Sequence, residues 1–354
     1  MKKKYIEMFI LKQRFGQTTI AKISNSKELK KILVDPWIES ETIIIKPNWV
    51  SNEPAYFTDS ESLRMMFEAL DSRIVVTESH QIHRLVNLFE EAINFTVGGK
   101  EVNWKWLLKG AGWDWIIKNP DWDWCKKDGR WDRIKKEDKV FLDENGFTDL
   151  FNEFGVSYIN VTDEVWSERI ADPTIVKNSV ESRYKPVKID KLYSMMPKKL
   201  YDLHGSTFIS FAKLKNQASF TLKNMFGMIP DPLRPWWHGP KHSRIATSII
   251  DINKVYHSLF NVYGICEAFS ITPVSHPNGK FEDTYTGKYN VIDGCGVMAF
   301  GRDLVSLDAI ICNLAGLNFK QFGDHINLAE EEFGAYDREV LKESKMKVGN
   351  LISL

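Results

Sequence analysis

Cysteine is scarce in this chain. Four occur among 354 residues, at Cys125, Cys266, Cys295 and Cys312. None forms a C-x-x-C pair, and their spacing matches no zinc or iron–sulfur ligand pattern. Free thiols in a reducing compartment are expected, with no iron–sulfur cluster held by the chain's own cysteines. An excess of charge is lacking too. Lys and Arg number 47 and Asp and Glu 47, which argues against a general nucleic-acid binder. No apolar run approaches the ~20 residues that span a bilayer. The start, MKKKYIEMFILKQ, is basic like a signal peptide, but Glu7 breaks its short apolar run. A secretory signal is therefore not expected, and the expected location is the cytoplasm. G-x-G-x-x-G, the Walker lysine motif, G-x-S-x-G and H-E-x-x-H are all missing, which disfavours ordinary nicotinamide, P-loop and hydrolase chemistry.

What is present suits a globular protein with a large core. Hydrophobic residues make up 43%, an ordinary share for a soluble fold. Glu41–Lys46 (ETIIIK) reads as a short buried strand closed by Pro47. Ser60–Leu70 has helical spacing, and Arg73–Thr77 (RIVVT) reads as a second strand. Phe147–Glu153 and Val156–Val161 repeat the helix–strand alternation, with Gly155 as a C-cap between them. Thr207–Ala212 is a further strand. Asn290–Ile292 and Val297–Phe300 are short strand candidates, and Ser306–Ala315 is an apolar helix. The cadence predicts an α/β fold of mixed, mostly parallel sheets flanked by helices. A polar stretch near Asp172–Pro197 divides it into an N-terminal half, 1–185, and a C-terminal half, 186–325. A charged extension, 326–354, follows.

Residues 103–138 hold a repeat. In nines, they read NWKWLLKGA, GWDWIIKNP, DWDWCKKDG and RWDRIKKED, and seven of the chain's twelve tryptophans fall here. Nine residues make 2.5 helical turns, so a single helix would reverse the Trp face at each copy. W-x-W spacing on a strand keeps both rings on one face. The repeat is thus expected to be a Trp-rich insertion of short hairpins or turns.

Charge is concentrated farther on. Between Leu203 and Ile250 lie Lys213, Lys215, Lys223, Arg234, Lys241 and Arg244, with His204, His238 and His242, against the single acid Asp231. The strand at 207–212 runs into Lys213 and Lys215. A helix is expected from about Ser219, with Gly227 just past its end. A strand end facing a helix start suits a phosphate or carboxylate. Glu78, His80 and His83 follow the strand at 73–77, where α/β proteins place their sites. Lys46 and Asn48 end the strand at 41–45. Asp303 reads as a helix N-terminal acid. Asp308, inside an apolar helix, needs a buried partner, and the lysine cluster is the expected one. A divalent metal would draw on His80, His83, His238 and His242.

The order I-I-I-K-P-N, T-E-S, F-I-S-F-A-K-L-K, T-L-K-N-M-F-G-M-I-P, a downstream His and G-R-D-L-V-S-L-D-A resembles the bacterial and archaeal domain-of-unknown-function family 362, over roughly residues 40–320. The resemblance implies that Lys46, Asn48, Glu78, Lys213, Lys215, Lys223, Asn224, His238 or His242, Asp303 and Asp308 line one pocket. It brings no reaction with it. The Trp repeat lies outside the family pattern, and Tyr263-Gly264-Ile265 stands where the family often has D-G-I.

The expected function is an enzyme acting on or with an anionic small molecule, phosphorylated or carboxylated. Lys46, Asn48, Lys213, Lys215, Lys223, Asn224 and Arg234 would hold the ligand. Glu78, His238, His242 and Asp308 would supply acid–base or metal-assisted chemistry. One alternative is a non-catalytic protein that binds an anionic metabolite or a redox partner. Another is a protein that docks on a membrane surface through its tryptophans.

Overall fold

A computed structural model describes residues 12–33, 40–52, 54–81, 84, 95–97, 99–103, 106, 110–119, 130–215, 220–230, 234–271, 292–314 and 325–347. His83 and the insertion's Trp104, Trp122 and Trp124 lie outside the described residues.

Ten strands are described: β1 (Lys12–Phe15), β2 (Thr18–Lys22), β3 (Thr42–Lys46), β4 (Arg73–Glu78), β5 (Phe95–Val97), β6 (Lys100–Val102), β7 (Ser157–Asn160), β8 (Thr207–Lys213), β9 (Asn261–Ile271) and β10 (Ile292–Gly301). Eight form one sheet, in the order β1-β2-β10-β9-β8-β3-β4-β7. The pairs β9–β8, β8–β3, β3–β4 and β4–β7 are parallel. The β1–β2, β2–β10 and β10–β9 pairs are antiparallel. The fold is α/β, as its alternating strands and helices imply.

Every residue of β3 and β8 is buried. Such continuous apolar strands need helices on both faces. Helices Ser26–Leu33, Ser60–Ala69 and Phe147–Phe154 cover one face, where Leu29, Leu63, Phe67 and Phe151 pack with Ile43, Ile45, Ile209 and Phe211. Helices Ile245–Leu259 and Leu304–Leu314 cover the other, where Ile249, Tyr256 and Leu307 join Ile44, Phe208 and Ala212. Local caps match the composition. Asp59 Oδ1 accepts from Ser62 N–H at 2.8 Å and starts its helix. Gly155 (φ 63°) ends the helix Phe147–Phe154 in the left-handed region that favours glycine.

The sheet's direction of growth reverses at β3. The chain runs from β3 outward to β4 and β7, then returns to place β8 on the other side of β3. At such a switch point neighbouring connections leave in opposite directions. Open α/β sheets bind ligands at such points, beyond the C-terminal strand ends.

The described part of the tryptophan repeat corrects the expectation of hairpins. Gly110–Lys118 is a helix, and Arg130–Glu144 is a second, longer one. The only hairpin nearby among the described residues, β5–β6, precedes the repeat. The reason is packing. An isolated two-stranded ribbon has little to hold it, whereas a helix satisfies its own backbone and presents Trp side chains in several directions. Trp113 and Trp115 therefore diverge. Trp113 meets His238 and His242, while Trp115 meets Trp106.

Candidate functional site

The candidate site is built from the residues that end β3, β4 and β8. Lys46 closes β3 and is buried. Its Nζ donates to Glu78 Oε2 at 2.6 Å, Pro47 O at 2.9 Å and Asn224 Oδ1 at 3.0 Å. Three acceptors match the three N–H groups of an ammonium. Burial pushes the Lys46 pKa down to about 8, and the adjacent Glu78 carboxylate keeps it from falling farther. Asn224 is fixed from behind, since its Nδ2 donates to Lys46 O at 3.1 Å and Ser210 Oγ at 3.2 Å. Asn48 Nδ2 donates to Asn224 Oδ1 at 3.1 Å.

Gly227 does not end a helix as expected. It lies within a single 3-10 turn, Met225–Met228, and its φ is not positive. Its role is close approach. A Cβ there would sit 2.5 Å from Lys46 Nζ and 2.7 Å from Glu78 Oε1. Arg234 closes the same corner. It donates to Gly227 O at 3.0 Å, His80 O at 3.2 Å and Ser79 Oγ, and lies 4.0 Å from Glu78.

On the β8 side, Lys213 Nζ meets Glu267 Oε1 at 2.7 Å across the parallel β8–β9 pair. Both are fully buried. Burial raises the Glu267 pKa, opposed by the Lys213 charge. Lys215 is also buried, and its Nζ donates to Asn48 Oδ1 at 2.7 Å and Tyr56 O at 3.4 Å. Burial holds its pKa well below the usual lysine range, and the charges of Lys223, Lys46 and Lys213 act in the same direction. Lys223, half-buried on the short helix Thr221–Asn224, is pushed by burial to about 8. Lys46, Lys213, Lys215, Lys223 and Arg234 thus gather about Glu78 and Glu267. Such a surplus of partly dehydrated cations is suited to an anion.

Asp308 does not pair with the lysines as expected. Its carboxylate accepts from the N–H groups of Phe220 (3.1 Å), Thr221 (2.8 Å) and Leu222 (3.0 Å), and from Thr221 Oγ1 at 2.6 Å. It binds the start of the helix that carries Lys223 and Asn224. Burial raises its pKa against those hydrogen bonds. Asp303 is the helix N-terminal acid expected, accepting from Val305 and Ser306 N–H at 3.0 and 3.1 Å.

The histidines divide into two settings. His238 Nδ1 lies 3.0 Å from His242 Nδ1, with Trp113 and Phe226 edge-on to the His238 ring. Lys241 and His242 hold this turn at positive φ, 50° and 60°. His80 is buried, with Nδ1 3.0 Å from Asp138 Oδ1 and the Trp131 ring edge-on at 5.1 Å. Arg84 reaches the same carboxylate at 3.1 Å. Burial alone would raise the Asp138 pKa, but His80 and Arg84 together bring it down to about 2. Among the described residues no group of three or more His, Cys, Asp or Glu side chains is placed to hold a metal ion.

Four residues of these surroundings escaped sequence reasoning: Glu267, Tyr56, Arg84 and Asp138. Glu267 left one usable signal, an acid inside the apolar run VYGICEAF. Asp138 left none that separates it from the charged residues around it.

No curated protein and no solved structure matches this chain. The profile of the family described as Domain of unknown function (DUF362) matches residues 43–313, from β3 to the helix that carries Asp308. The match covers most of the chain and Lys46, Lys213, Lys215 and Lys223, and the protein belongs to the DUF362 family.

Proposed function

We propose that this protein is an enzyme whose substrate is an anionic small molecule, phosphorylated or carboxylated, bound at the candidate site between β3 and β8. The observation that carries this reading is the gathering of Lys46, Lys213, Lys215, Lys223 and Arg234 about Glu78 and Glu267 at the switch point of the sheet. A buried cluster with more cations than carboxylates is costly without a counter-ion, and a bound anion offsets that cost. In this reading the site lies between a strand of the half spanning 1–185 and a strand of the half spanning 186–325.

Lys223 and Arg234 hold the anionic group, and Asn48 and Asn224 orient it. Glu78 and Lys46, a proton donor–acceptor pair 2.6 Å apart, carry the acid–base step. Asp308 acts by positioning the helix of Lys223 and Asn224. His238 and His242 stand beside the site as a further proton or metal-binding pair. Docking to a membrane surface has less support, because Trp113, Trp115 and Trp131 pack on protein rings.

The test is calorimetric titration of the full chain with inorganic phosphate. Binding is expected, and Lys223→Ala should weaken it by roughly ten- to a hundredfold, the worth of a charge-assisted hydrogen bond. No binding by the native chain, or unchanged affinity in the variant, rejects the reading. Binding-only function predicts that the folded Glu78→Gln variant keeps its phosphate affinity.

A further inference from the structure

We propose that Lys215 is an uncharged amine nucleophile, which condenses with an aldehyde or ketone carbonyl of the bound anionic substrate to form an imine. The anionic part of this substrate rests on the function proposed above. The carbonyl is new.

The geometry sets Lys215 apart from its neighbours. Lys46 has Glu78 at 2.6 Å, and Lys213 has Glu267 at 2.7 Å. Among the described residues no carboxylate lies within ion-pair distance of Lys215. Its two hydrogen-bond acceptors, Asn48 Oδ1 and Tyr56 O, are both neutral. They match the two N–H groups of a neutral amine and leave the lone pair free, whereas an ammonium would present a third N–H. The Tyr56 ring lies 5.4 Å from the same nitrogen. The charged groups facing it come from several elements: Lys46 of β3, Glu78 of β4, Lys213 of β8 and Lys223 of the helix Thr221–Asn224. Burial and three adjacent cations favour the uncharged form and outweigh the Glu78 carboxylate, which favours the charged one. A lysine dehydrated beside other cations is a known route to an amine nucleophile at neutral pH.

The step is balanced without an oxidant or reductant. The Lys215 lone pair adds to the carbonyl carbon, and the carbonyl oxygen takes a proton to give a carbinolamine. That oxygen then leaves as water, which carries away both amine hydrogens in the net balance and leaves a C=N bond. Lys46 and Lys223 can lend a proton to the departing oxygen and recover it. The imine withdraws electrons from the adjacent carbon, and Glu78 is the carboxylate available to accept a proton from it.

The experiment traps the imine. The full chain is mixed at pH 7 with one equivalent of pyridoxal 5′-phosphate, an aldehyde bearing a phosphate, or with glyoxylate, an aldehyde bearing a carboxylate. Sodium borohydride then reduces any imine to a stable secondary amine, and peptide masses locate it. The expected result is an adduct at Lys215 at least tenfold more abundant than at any other lysine, and lost in Lys215→Arg. An adduct elsewhere but not at Lys215, or no adduct at all, overturns the proposal. Mapping of the native chain decides the matter even if the variant fails to fold. Phosphate calorimetry on the same preparation separates the two ideas. Phosphate binding without a Lys215 adduct rejects only the nucleophile. A glyoxylate adduct at Lys215 without phosphate binding rejects only the anion site.

Discussion

Lys46, Glu78 and Gly227 pack closely against one another at the candidate site. The Lys46–Glu78 pair is buried on both sides, so each charge depends on the other. Glu78→Gln leaves a buried ammonium facing an amide, and should destabilise the fold by about 3–5 kcal/mol. Lys46→Met combined with Glu78→Gln should recover part of that loss, because no unpaired charge remains. Urea unfolding of the two variants measures both effects, and equal losses in the single and double variants would contradict the coupling. Gly227→Ala tests a different feature. Lys46 Nζ is pinned by three acceptors and cannot swing away from a new Cβ 2.5 Å distant. A loss of about 1–3 kcal/mol is expected, as for overpacking, together with weaker phosphate binding. Sequence reasoning singled out both Lys46 and Glu78, because each ends an apolar strand. It read Gly227 only as the residue past a helix end, since close approach depends on residues far away in the chain.

The short helix Thr221–Asn224 shows what element-level contacts decide. Four residues cannot hold a helix unaided, and its start is gripped by Asp308 from another helix. Asp308→Asn keeps one acceptor oxygen and puts an N–H₂ where donors already converge. Stability should fall by about 1–3 kcal/mol, the cost of an unsatisfied buried group. Phosphate affinity should fall with it, because Lys223 and Asn224 lose their support. Stability loss with unchanged affinity would separate Asp308 from the site. Asp308 was legible as a buried acid in an apolar helix, but its partner was not, because backbone N–H groups leave no mark on composition. The tryptophan helices teach the converse. The nine-residue period was legible, yet its conformation was not. The pattern W-x-W fits a strand, but helix Arg130–Glu144 uses Trp131 and Asp138, seven residues apart and on one side, to hold His80.

At the scale of the whole molecule, the buried lysines tie ligand binding to pH. Lys46 and Lys223 lose their protons near pH 8, because burial disfavours their charged forms, and burial holds Lys215 well below the usual lysine range in the same way. An anion binds the protonated forms more tightly, so its binding takes up protons. Sulfate, whose own charge is constant over this range, should bind best below pH 8 and weaken as pH rises through it. The fall should approach tenfold per pH unit for each proton taken up. Calorimetry from pH 6.5 to 9.5 measures the slope, and a flat profile would remove these lysines from the binding site. By itself the sequence determined the α/β class, the strand ends that carry Lys46, Glu78 and Lys213, and the charge concentrated after Leu203. Those follow from local periodicity and composition, which act over a few residues. Only the tertiary structure decided that β8 returns beside β3, that Lys213 meets Glu267, that Lys215 is left with neutral partners, and that Trp113, Trp115 and Trp131 ride on helices. Each of these depends on long-range packing, where a buried group takes whatever partner the fold brings to it.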